Sequence, residues 1–126
     1  MKEKDLQVQI LELLHLAGIT AWLTHKVGAY MHKPVIKGIA DIVGIVKMGC
    51  HSHTGFGCTE SPCPGFGMFL AIEVKLPGRK ATPDQLAFLE EVRLAGGIAF
   101  VAESIEDVIL TLKENGVWQV KKVHLQ

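Results

Sequence analysis

The chain has no net charge: thirteen Lys and Arg balance thirteen Asp and Glu over 126 residues. The broad basic surface by which many proteins displace counterions from a polyanion is therefore missing, and any nucleic-acid contact must come from local asymmetry. The opening Met1-Lys2-Glu3-Lys4-Asp5-Leu6 lacks the apolar stretch of a signal peptide. No later stretch approaches the roughly 18 apolar residues of a membrane span. A cytoplasmic, reducing location without membrane attachment is expected. Cysteine is scarce too, and its three residues, Cys50, Cys58 and Cys63, fall in one stretch. An odd, clustered set argues against a disulfide framework and leaves metal binding or free thiols. At 48% hydrophobic and 21% charged, the chain lacks the signature of disorder and can build a core. Its length fits a single domain over residues 1–126. It contains no internal repeat.

What is present alternates between helical and strand patterns. Leu6, Ile10, Leu13, Leu14 and Ala17 recur at helical spacing, and Gly18 follows as a stop. Ile19 to Leu23 leans toward a strand, Thr24 to Gly38 toward a loop, and Ile39 to Val46 toward a second strand. Lys47 to Gly67, dense in Gly, Cys, His and Ser, is expected to be an inserted loop. Met68 to Lys75 is an apolar strand that ends in charge, and Pro77-Gly78 breaks it. Thr82-Pro83-Asp84-Gln85 opens a helix with an N-cap, a proline at the first position and a capping-box Gln; Leu86, Leu89 and Val92 supply its stripe. Gly96-Gly97 ends it, and Ile98 to Val101 is a buried strand. Ser104 caps a last helix that carries Ile105, Val108, Ile109 and Leu112, and Asn115-Gly116 ends that helix. The tail from Val117 to Gln126 suits an edge strand or a partner contact. The order implies an α/β fold with a mixed sheet, in which Met68 to Val101 forms a right-handed parallel crossover.

If the second and third strands pair antiparallel, the start of one lies beside the end of the other, and Asp41 meets Glu73. Glu73 and Lys75 are two apart and share a face. Two carboxylates and an ammonium then occupy one patch, a pattern that suits a structural ion pair or a divalent-metal site. Glu3, three residues before Leu6, puts a further carboxylate on the core-facing side of the first helix.

The strings Gly38-Ile39-Ala40-Asp41-Ile42-Val43-Gly44 and Phe69-Leu70-Ala71-Ile72-Glu73-Val74-Lys75 are followed by Pro77-Gly78-Arg79 and Thr82-Pro83-Asp84-Gln85. Gly96-Gly97 and Ser104-Ile105-Glu106-Asp107 complete a pattern that closely resembles the VRR-NUC nucleases of the PD-(D/E)xK superfamily. The resemblance spans nearly the whole chain apart from the insertion, and it implies a restriction-endonuclease-like core. It implies further that Asp41 and Glu73 bind Mg²⁺ or Mn²⁺ with the Val74 carbonyl, that Lys75 assists the attacking water or the transition state, that Gln85 is an active-site glutamine, and that Glu3 is the family's helical acid. Ala40 departs from the motif's proline, and Leu23 stands where many relatives carry a basic residue. Lys37, Arg79 and Lys80 are candidate phosphate contacts. The function implied is a metal-dependent DNA endonuclease, selective for branched DNA such as a Holliday junction, acting as a homodimer in phage-type replication, recombination or repair.

Within the insertion, Cys50, His53, Cys58 and Cys63, with His51 as a competing ligand, can supply one tetrahedral Zn²⁺ shell. The five residues from Asp41 to Val46 set such a zinc about 17 Å from the carboxylates, which makes it structural or DNA-contacting. A different class of function uses the same residues: a non-catalytic nucleic-acid-binding module with a zinc loop and purely structural carboxylates.

Overall fold

The computed structural model describes residues 1–24, 37–49 and 65–117. These form, in order, helix α1 (Glu3–Leu16), strands β1 (Thr20–Leu23), β2 (Ile42–Met48) and β3 (Phe66–Val74), helix α2 (Pro83–Leu94), strand β4 (Ile98–Ala102) and helix α3 (Ile105–Glu114). The strands make one mixed sheet in the order β1-β2-β3-β4, antiparallel except for the parallel pair β3-β4. The expected element order and α/β class are met.

Alternation along the strands divides the core into two layers. Ile42 and Val46, Leu70, Ile72 and Val74, and Ile98, Phe100 and Ala102 face Leu6, Ile10 and Leu14 of α1 and Val108 and Leu112 of α3. On the other face Val43, Ala71 and Ala99 meet Phe88, Leu89 and Val92 of α2. Leu86, expected in that stripe, is instead half exposed. The α2 stripe turns on Phe88, a residue the i, i+3 count from Leu86 passes over.

Several strand limits shift by one to three residues from expectation, β3 ending at Val74 so that Lys75 follows the strand, and both limits of β2 bear on the site. β2 begins at Ile42, so Asp41 lies just before the strand and not inside it. Gly38, at φ +73°, turns the backbone there, and a Cβ at Gly38 would collide with the Asp84 carbonyl group of α2, so only glycine lets the two segments touch. At the other end the expected loop is shorter, because Lys47 and Met48 extend β2 against Gly67 and Phe66 of β3. Ladder hydrogen bonds are made by backbone and do not need apolar side chains, and Gly65, at φ +72°, packs without a Cβ under the Met48 carbonyl. Cys50, His51, His53, Cys58 and Cys63, and the tail from Trp118 onward, lie outside the described residues. Among the described residues no helix is long and apolar enough to cross a membrane.

Candidate active site

The site forms where the antiparallel pair β2-β3 ends. Ile42 pairs with Ile72, so the next register position sets Asp41 beside Glu73. Three backbone anchors fix Asp41. The Thr24 amide donates to the Asp41 carbonyl at 3.0 Å, and the Thr24 hydroxyl donates to the Ala40 carbonyl at 2.6 Å. The Asp41 carboxylate Oδ2 in turn accepts from the Val74 amide at 2.9 Å, taking the donor at the point where the ladder stops. The Asp41 side chain is thereby held across the strand end by a charge-assisted bond.

Glu73 alternates with Ile72 and Val74, which are fully buried toward α1, and so projects to the α2 face. Only 1% of Glu73 is exposed, and its Oε1 is buried without a hydrogen-bond partner among the described residues. Lys75 Nζ approaches the other oxygen, Oε2, at 3.6 Å, with 14% of its side chain exposed. Burial first, then the charge of Asp41 and a hydrogen bond between the two carboxyls, push Glu73 from 4.5 up to about 8 against the opposing pull of Lys75. Burial and the two effects of Asp41 outweigh the one attractive ion pair, so the acid form of Glu73 is favoured at neutral pH.

This arrangement fits a cation. A buried carboxylate oxygen with no donor, next to a second carboxylate, is a costly feature that a hard divalent ion relieves through oxygen coordination. Asp41 and Glu73 are the residues that would hold it, and the ammonium of Lys75 stands within the same patch.

The remaining expected residues divide by location. Gln85 Oε1 accepts from the Thr82 amide at 2.8 Å while the Thr82 hydroxyl accepts from the Gln85 amide at 3.2 Å, so the side-chain oxygen of Gln85 is engaged in the capping box. The Gly38 contact brings this helix start alongside the segment that leads to Asp41. Lys37, beside Gly38, is exposed, as are Arg79 and Lys80, which follow the Pro77-Gly78 turn and lead into α2. All three flank one helix start. Val74 contributes its amide to Asp41. Glu3 is not gathered with the pair: α1 packs on the opposite face of the sheet from the one Glu73 faces, and the described residues contain no group of three His, Cys, Asp or Glu side chains placed to hold a metal.

Two residues escaped the sequence reading. Gln7 is 5% exposed, with its Oε1 unpartnered among the described residues. The signal was its place one turn after Glu3 on the same apolar side as Ile10 and Leu14. Thr24, which anchors Asp41 through two backbone groups, left no signal, because its partner is distant in sequence. Compared with known protein families and with well-characterised proteins, the chain finds no match.

Proposed function

We propose that the chain is a divalent-metal-dependent nuclease that hydrolyses phosphodiester bonds in DNA, branched DNA above all, and works as a homodimer. The observation that carries this reading is the half-buried Asp41 beside the buried Glu73, whose Oε1 has no hydrogen-bond partner among the described residues and whose Oε2 lies 3.6 Å from Lys75 Nζ. A structural ion pair needs one acid and one base. Here two acids compete for one base at a site where burial makes the second negative charge unfavourable, and that excess is what a metal-binding hydrolase requires.

Asp41 and Glu73, with the Val74 carbonyl, are the residues that would hold Mg²⁺ or Mn²⁺. Such an ion, when bound, would supply Lewis-acid polarisation of the phosphodiester and activation of water for attack. The chain's own residues do the rest. The Val74 amide and the Thr24 contacts keep the Asp41 carboxylate aimed across the strand end. Lys75, with 14% of its side chain exposed and its Nζ 3.6 Å from Glu73, stands at the place where phosphate charge grows. Lys37, Arg79 and Lys80 contact backbone phosphates without reading sequence.

The test is a cleavage panel of linear, single-stranded, flapped and four-way DNA with Mg²⁺ or Mn²⁺, run for the wild type and for Lys75→Ala. Metal-dependent cutting that falls by at least about a hundredfold in Lys75→Ala supports the reading, on the scale of removing one transition-state donor. Binding of DNA without cutting under any metal would replace it with the non-catalytic module.

A further inference from the structure

Among the described residues, the sheet face that carries Asp41, Glu73 and Lys75 is only half covered. Helix α2 packs on β3 and β4, and three large apolar residues of this face stay open, one on each of the first three strands: Trp22 of β1 at 45%, Ile45 of β2 at 49% and Phe69 of β3 at 44% exposed. Strand alternation places all three on the catalytic face, since Trp22 is paired with Val43, and Ile45 with Phe69. Trp22 lies one strand over and two residues along from Asp41, about 8 Å away between backbones. Phe69 is four residues up β3 from Glu73, about 13 Å. Lys47, exposed on the same face of β2, closes the row about 20 Å from Asp41. The face therefore reads, from one end to the other, as a carboxylate pair with its ammonium, an indole, an isoleucine beside a phenyl ring, and a second ammonium.

We infer that this face is a stacking track for an unpaired strand, with Trp22 as the principal platform for a base next to the scissile phosphate and Lys47 as the phosphate contact at its far end. The inference rests on the nuclease reading and narrows its substrate class to DNA with a single-stranded or splayed segment. Aromatic faces interleaved with cations are what an unpaired strand needs, because its bases offer π-faces and its backbone offers charge. Paired bases inside a duplex keep their faces stacked on each other and have nothing to gain from an indole. The track is continuous with the carboxylates, so a base on Trp22 carries its own phosphate toward Asp41 and Glu73.

The experiment measures binding without metal, in EDTA, so that nothing is cut. Trp118→Phe leaves Trp22 as the single tryptophan of the chain. A short thymidine oligonucleotide should quench its emission, and a blunt duplex of equal length should not. Trp22→Ala should weaken oligonucleotide binding about tenfold, while Trp22→Phe, which keeps a ring, should retain most of it. The proposal is overturned if Trp22→Ala binds the oligonucleotide as the wild type does, or if the wild type does not bind it. It is equally overturned if Trp22 in the free protein is inaccessible to acrylamide, which would show the face covered by the chain itself, or if Trp22→Ala splits a dimer without altering oligonucleotide binding. Metal-dependent cutting of duplex DNA alongside any of these results leaves the nuclease reading standing and removes the track alone. Loss of both cutting and binding removes the reading beneath it.

Discussion

Glu73 sits on a strand whose neighbouring residues are fully buried, and it gives up hydration for one ammonium contact. Its acid form is favoured when the chain is folded, because its pKa is raised to about 8 from 4.5. Between those values the folded chain holds a proton that the unfolded chain has released. The unfolded state then binds fewer protons, and stability falls as pH rises from about 4.5 to 8, by a few kcal/mol at most for this one group. Thermal unfolding in EDTA across that range should show the fall in the wild type and lose most of it in Glu73→Gln. The same variant should unfold at a higher temperature than the wild type at pH 8, because a neutral amide replaces a buried charge, and it should not cleave. Equal pH slopes for the two proteins would show that Glu73 is an ordinary, solvated carboxylate. The sequence announced Glu73 plainly, as a charge inside an apolar run. It announced Gln7 far less clearly, since a Gln among helix-surface residues attracts no notice until its burial is known.

Among the elements, α2 is the one most legible in advance. Thr82, Pro83 and Gln85 obey local rules that need no knowledge of the rest of the chain, and the structure has the full capping box. Thr82→Ala should cost about 1 kcal/mol of stability, read as a lowered midpoint of denaturant unfolding. Its effect on cleavage should be larger than that loss explains, because the cap also holds Gln85 at the helix start. The start of β2 was not legible in the same way. Asp41 belongs to the apolar run by pattern, yet the turn at Gly38 and the bond to the Val74 amide take it out of the ladder, and both depend on partners more than thirty residues away. Gly38→Ala is the matching test. A methyl there meets the Asp84 carbonyl group and forces a residue with a side chain into φ +73°, so the segment carrying Asp41 must shift. Cleavage should fall at least about tenfold with the far-ultraviolet circular dichroism spectrum retained; wild-type turnover would mean that this contact does not position the carboxylate.

For the molecule as a whole, composition is silent where function is concerned: a neutral chain does not advertise a polyanion partner. The relevant asymmetry is local, with Lys37, Arg79 and Lys80 exposed around one helix start. So small a basic footprint favours two copies acting together on a symmetric junction. Light scattering at micromolar concentration should give the mass of a dimer, with or without four-way DNA, and a monomer in both conditions would count against that arrangement. The most direct measurement of all is turnover of the preferred DNA by the wild type and by Asp41→Asn, with Mg²⁺ or Mn²⁺ present or chelated. Asn keeps an oxygen to accept from the Val74 amide, so the variant should fold as the wild type does, with an unfolding temperature at least as high. Metal-dependent cleavage by the wild type, abolished in the folded Asp41→Asn protein, is the predicted result. Cleavage that survives the substitution, or that proceeds equally well in chelator, would contradict it.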